Sequence, residues 1–131
     1  MILLVDFGSQ TAHLIGRRIR ELGVECIMVN PEEVLDKVKL LRPKGIILSG
    51  GPASVYEKNS PTIDKKVFEL GIPILGICYG QQLMAYLLGG DVKPGKIREY
   101  GPAKITVNTS WPLFRGLPSQ FIVWMSHGDE V

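Results

Sequence analysis

Cysteine is scarce: Cys26 and Cys78 are the only two in 131 residues. Two cannot build a disulfide framework, and each lies in or beside an apolar run. That usage predicts a reduced, cytoplasmic protein. Excess charge is scarce as well. The chain has 15 Lys and Arg against 13 Asp and Glu, a formal net charge of +2. So small an excess predicts neither nucleic acid nor an anionic membrane as partner. Arg17, Arg18 and Arg20 crowd one helical stretch among acids, which reads as a solvated face. No apolar run approaches the roughly 20 residues a membrane-spanning helix needs. Met1 leads straight into an apolar strand, with no basic leader segment. Two histidines, His13 and His127, and two separated cysteines give no metal-ligand spacing. Repeats, low-complexity tracts and linkers are absent. The remainder is ordinary globular sequence, 45% apolar and 21% charged. Its length suits one compact domain, residues 1–131, with a real core.

Apolar, β-rich runs alternate with helical patterns. Strands are expected at Ile2–Val5, Glu25–Val29, Gly45–Leu48 and Ile72–Ile77. Helices are expected at Gln10–Leu22, Pro31–Leu40, Pro61–Leu70 and Gly80–Leu88. In the first helix Ile15, Ile19 and Leu22 share a face, and Gly23 stops it. Short, nearly all-apolar strands alternating with helices predict an α/β fold with a mostly parallel, doubly wound sheet covered on both faces. In such folds the sites lie at the carboxyl ends of strands. Three loops at such ends are rich in glycine and polar residues: Asp6–Gln10, Ser49–Ser54 and Cys78–Gln82. After Gly90 the pattern changes to shorter strands at Ile97–Tyr100, Ala103–Val107 and Phe121–Met125, a β-rich C-terminal stretch.

Gly76-Ile77-Cys78-Tyr79-Gly80 is the most informative segment. It sets G-x-C-x-G at the junction of an apolar strand and a helix, the thiol counterpart of a nucleophile elbow. The turn there is sharp and strained, and flanking glycines let the chains cross. Cys78 would face the positive end of the following helix, which favours the reactive thiolate. The Tyr79 backbone N–H would point where an oxyanion forms. The bland alternative is a buried structural cysteine with packing glycines. Cys26, inside a strand, is expected to be an inert core residue. Ser49-Gly50-Gly51-Pro52 is either a second oxyanion donor or a mere tight turn. Without Gly-Lys-Ser/Thr it is not a phosphate loop, which weighs against a flavodoxin-like nucleotide binder. A Cys nucleophile needs a His and an orienting acid close in space, and His127 with Asp129 or Glu130 is a superficial match.

Gly76-Ile77-Cys78-Tyr79-Gly80-Gln81-Gln82 resembles the nucleophile motif of the class I glutamine amidotransferases, whose fold is flavodoxin-like. Tyr79 is what the GMP synthase branch carries, where other branches usually have leucine. Asp6-Phe7-Gly8-Ser9-Gln10, Ile47-Leu48-Ser49-Gly50-Gly51-Pro52, Arg98-Glu99-Tyr100-Gly101 and Trp124-Met125-Ser126-His127-Gly128-Asp129 resemble that branch in the same order. The resemblance therefore spans nearly the whole chain.

It implies roles. Cys78 would attack the side-chain amide of glutamine, release ammonia and form a γ-glutamyl thioester that water cleaves. The N–H groups of Gly51 and Tyr79 would form the oxyanion hole. Gln82 and the segment Ser126, His127, Gly128 would hold glutamine. Ammonia would pass to an ATP-pyrophosphatase domain or subunit that converts XMP to GMP. The chain itself would need no cofactor, ATP and Mg belonging to that synthetase part. Some positions depart from the pattern: Thr11, Ala12 and His13 replace Tyr-Thr-Gln, and Gln81 stands where methionine is common. The His-Pro-Glu motif that supplies the family's catalytic His and Glu is not in this sequence. His127 matches the substrate-side segment instead. The chain is thus expected to be an incomplete domain, inactive alone, with its C-terminal end missing. Two alternatives stand beside this: a non-catalytic module that docks on a synthetase, and an amidotransferase of another branch.

Overall fold

The computed structural model describes residues 1–131 apart from the side chains of Ile97 and Arg98. The chain divides into two compact units, Met1–Lys93 with Val131 and Pro94–Glu130.

The first unit is α/β. Its elements are β1 (Ile2–Val5), α1 (Ala12–Glu21), β2 (Cys26–Val29), α2 (Val34–Leu41), β3 (Gly45–Leu48), β4 (Ile74–Gly76) and α3 (Tyr79–Leu87). All four strands are parallel, in the order β2-β1-β3-β4. The order reverses between β1 and β3, which is where doubly wound sheets open a ligand crevice. Register makes this concrete. Val5 lies level with Val29 and with Leu48, and Leu48 with Gly76. The loops that follow β1, β3 and β4 therefore leave the sheet from one end.

Central strands bury both faces, which is why they read as unbroken apolar runs. Leu3, Leu4, Val5 and Leu48 have no exposed surface, and Ile46 is 1% exposed. Each such side chain contributes about 1.5–3 kcal/mol relative to leaving it in water. Val29, Val34, Val38, Val67, Tyr79 and Leu83 form one cluster with Leu3, Val5, Ile46 and Leu48. The inward face of α1 carries the expected Ile15 and Ile19, both half-buried, but not Leu22. Ala12 and Gly16 are its buried residues, while Leu22 is 82% exposed. Gly16 has no side chain, which lets the helix lie close to the Leu4 side chain. Arg17 and Arg18 form exposed pairs with Glu21, and the likewise exposed Arg20 donates to the Cys26 carbonyl at 3.1 Å. All three arginines are exposed, as a solvated face requires.

The expected helix Pro61–Leu70 is reduced to a 3-10 turn, Lys65–Glu69. Asp64 caps it by accepting from the Lys66 N–H. Such turns seldom grow long because their hydrogen-bond geometry is poorer. No helix among the described residues is long and apolar enough to cross a membrane.

The second unit is a two-stranded sheet of β5 (Lys93–Thr106) and β6 (Gln120–Glu130). Two strands expected separately, Ile97–Tyr100 and Ala103–Val107, run together as β5. A Cβ on Gly95 would meet Glu130, His127 bonds Glu99, and Val107 donates to Ser119. The partners thus run in opposite directions, so the pair is antiparallel. β6 extends well past the expected Phe121–Met125, and so Ser126, His127 and Gly128 lie in a strand rather than a loop. Ile122 and Trp124 stand exposed on it at 71% and 75%.

Candidate active site

β4 ends at Gly76, and α3 begins at Tyr79. Cys78 caps that helix with φ 50° and ψ −115°, a region that non-glycine residues rarely enter. The sharp turn exists because the chain must leave the sheet and re-enter a helix within two residues. Its cost is borne by a tightly crossed backbone. A Cβ on Gly76 would come within 2.6 Å of the Gln81 Cα. One on Gly80 would collide with the Leu48 carbonyl. The crossing is then tied by hydrogen bonds. The Ile77 N–H donates to the Leu48 carbonyl at 2.9 Å, and the Gly80 N–H to the Ser49 carbonyl at 3.0 Å. Together they hold the elbow against the end of β3.

Cys78 is exposed while Cys26 is buried. Burial pushes the Cys26 thiol up, with nearby Arg20 opposing, so Cys26 stays a protonated core residue. The glycine loop lies beside the elbow. A Cβ on Gly50 would sit 3.5 Å from the Cys78 Cβ and 3.8 Å from the Ser9 Oγ. The residue next to Cys78 in this loop is thus Gly50, and Gly51 packs against Phe7. Among the described residues, the Gly51 and Tyr79 N–H groups have no hydrogen-bond acceptor. Two free donors at the ends of neighbouring strands, near an exposed thiol, are the ingredients of an oxyanion hole. Gln82 is buried on the first turns of α3, and its N–H donates to the Cys78 carbonyl at 3.0 Å.

Ser126, His127 and Gly128 lie in the second unit, on β6. The His127 Nε2 is 3.0 Å from the Glu99 Oε2, so the two C-terminal motifs are joined by one side-chain pair. Its partner is Glu99, on the neighbouring strand. The Arg98 side chain of the same motif lies outside the described residues. Among the described residues no three His, Cys, Asp or Glu groups converge as metal ligands would.

Two residues of the elbow region were not singled out for their side chains. Ser49 has no exposed surface and binds on both sides of its hydroxyl. Tyr79 is 2% exposed, its ring 5.2 Å from that of Phe7, and its hydroxyl donates to the Pro61 carbonyl. The second contact pins the long segment between β3 and β4 onto the elbow. Burial pushes the Tyr79 phenol up, a hydrogen bond from Ser60 partly opposes, and Glu57 raises it further. The folded state therefore holds this proton to higher pH than the unfolded chain does. The resulting stability is full below the ordinary phenol value of 10.0 and is lost as pH rises through the higher folded value. Tyr79→Phe is expected to lower stability by about 1 kcal/mol at neutral pH. It should also remove part of the alkaline loss. Urea midpoints for both forms at pH 8 and above pH 10 check it; parallel decline in the two would refute the latch.

A strained thiol elbow on a parallel sheet, with a glycine loop beside it, defines a class of nucleophilic hydrolase and transferase folds. The glutamine amidotransferase class-I family model matches residues 3–131. The chain belongs to the class I glutamine amidotransferases. It is 55% identical over 130 residues to a "GMP synthase [glutamine-hydrolyzing]" of Caldanaerobacter subterraneus, covering 99% of this chain and 25% of that protein. It is 55% identical over 131 residues to the protein of that name from Bacillus subtilis, covering 100% of this chain and 26% of the other. The chain thus spans about a quarter of the length of these relatives. Among solved structures, a glutamine amidotransferase from Thermotoga maritima superposes with TM-score 0.73 at 26% identity, over 98% of this chain and 60% of the other.

Proposed function

We propose that this chain carries the glutaminase chemistry of a GMP synthase: Cys78 hydrolyses glutamine through a thioester, and the ammonia aminates XMP to GMP. The observation that carries the reading is the elbow itself, an exposed Cys78 at φ 50° held between two glycines that no side chain could replace. Its thiolate attacks the amide carbon of glutamine, and the C–N bond breaks as ammonia takes a proton. Water then attacks the thioester, the C–S bond breaks, and glutamate leaves. The Gly51 and Tyr79 N–H groups would stabilise the oxyanion in both steps. Gln82 and the Ser126–Gly128 segment would orient glutamine. The names of the relatives, and Tyr79 after the nucleophile, favour the GMP synthase branch over other amidotransferases. An ATP-pyrophosphatase domain or subunit, with its ATP and Mg, would receive the ammonia. On this reading the proton-transfer residues are a His and a Glu outside these 131 residues.

A second reading has one observation in its favour. His127 and Glu99 already form a His–carboxylate pair, the arrangement that orients a general base. One assay separates the two. Glutamate release is measured for this chain, for His127→Ala, and for the chain joined to a segment bearing the His-Pro-Glu motif. Activity gained only in the joined form supports the first reading. Activity of the chain alone that His127→Ala abolishes would transfer the role of base to His127. Binding to a synthetase without glutamine turnover in any form would leave only a docking module.

A further inference from the structure

We propose that Ser49 is a positioning residue for this reaction, its hydroxyl setting the plane of the peptide whose N–H receives the oxyanion. The inference rests on the glutaminase reading. It starts from hydrogen bonds around one fully buried residue. The Ser49 N–H donates to the Val5 carbonyl at 3.1 Å, and its carbonyl accepts from the Gly80 N–H at 3.0 Å. Its Oγ accepts from the Phe7 N–H at 3.1 Å and donates to the Gly50 carbonyl at 3.0 Å. One residue thus joins the ends of all three loops: after β1, after β3, and at the elbow.

The bond to the Gly50 carbonyl bears on the chemistry. Gly50 C=O and Gly51 N–H belong to one rigid trans peptide, so fixing the direction of the first fixes the opposite direction of the second. Glycines on both sides leave that plane unusually free to rotate. Backbone sterics alone therefore do not select an orientation, and a hydrogen bond must. The Ser49 hydroxyl supplies it from beneath. Its other bond, to the buried Phe7 N–H, fixes the hydroxyl in turn, because a hydroxyl has a single proton to donate. A serine that merely satisfied Phe7 would leave the Gly50–Gly51 plane unconstrained.

The test compares two reactions of Cys78 in the 131-residue chain. The γ-(4-nitrophenyl) ester of glutamate acylates the thiolate through a tetrahedral oxyanion. The C–S bond forms at the acyl carbon, the acyl C–O bond breaks as the oxyanion collapses, and nitrophenolate leaves without needing a proton. Iodoacetamide alkylates the same sulfur by displacement of iodide and forms no oxyanion. Ser49→Ala is expected to slow acylation by about tenfold to a hundredfold, since one misaimed donor loses most of its effect. The iodoacetamide rate should stay within about twofold, the thiol and its helix being unchanged. Equal acylation in both forms overturns the proposal. So does equal slowing of both reactions, which is the mark of a loosened elbow. Failure of the unaltered chain to acylate at Cys78 sinks the glutaminase reading itself. Should Ser49→Ala not fold, the unaltered chain decides. Its Gly51 amide should exchange freely with solvent and become protected once Cys78 is acylated. A Gly51 amide already protected before acylation overturns the proposal.

Discussion

A Cys78→Ala chain is expected to lose all covalent capture of glutamine-like electrophiles. In the form joined to the catalytic His and Glu it should lose glutamine hydrolysis by about a millionfold, as removal of a triad nucleophile does. The size follows from the mechanism. Without the thiol no thioester forms, and water must attack an unactivated amide with only the oxyanion donors to help. Loss of the acid–base pair alone is smaller, about a hundredfold to ten-thousandfold, because the covalent step survives it. Selectivity between the two cysteines gives a second measurement. Cys26 is 6% exposed, and its burial keeps the thiol protonated. Cys78 is exposed at the start of a nine-residue helix. A glutamine-like alkylating agent should modify Cys78 first, seen by peptide mass mapping. Modification of Cys26 first, or hydrolysis that survives Cys78→Ala, would remove the nucleophile from the proposal.

The strands of the first unit were legible because a sheet buried on both faces leaves no polar position. Ile2–Val5 and Gly45–Leu48 match β1 and β3 residue for residue. The elbow was legible for a different reason. Two chains can cross that closely only at glycine, so Gly76 and Gly80 around Cys78 record a tertiary contact in local sequence. The missed elements share an opposite cause. Gly101-Pro102 reads as a turn, yet β5 passes through it. A strand with one partner can carry a proline, since its missing donor falls on the unpaired side. The segment Pro61–Leu70 has helical spacing, but the Tyr79 hydroxyl holds the Pro61 carbonyl, and helix is confined to one short turn. Neither that latch nor the bonds of Ser49 has a local signature, because the partners lie 18 and 42 residues away. The glycine loop illustrates the same limit. Its position beside the nucleophile was expected, but only packing distinguishes Gly50, against Cys78, from Gly51, against Phe7.

Gly80→Ala is expected to destabilise the chain by more than about 4 kcal/mol, beyond what ordinary substitutions cost. The added methyl would overlap the Leu48 carbonyl and stand 2.6 Å from the Leu48 Cβ. Leu48 has no exposed surface, and its strand pairs with β1 on one side and β4 on the other. It cannot retreat without disturbing both ladders. Moving α3 instead would break the Gly80 bond to Ser49 and the Ile77 bond to Leu48. Either relief loses buried hydrogen bonds, each costing about 1–3 kcal/mol when a partner is left unsatisfied. Domains of this kind have only about 5–15 kcal/mol in total. Gly23→Ala is the control. Gly23 also has a positive φ of 79°, but nothing lies within 4 Å of a Cβ there. Only backbone strain remains, about 1–2 kcal/mol. Urea denaturation of the two variants separates steric crossing from conformational strain. Where Gly80→Ala stays partly folded, Cys78 should relax toward ordinary dihedrals, and its preference over Cys26 for a glutamine-like reagent should fall. Equal stability of the two variants would mean that the elbow tolerates a side chain, and that the close crossing of α3 on β3 does not hold Cys78 in place.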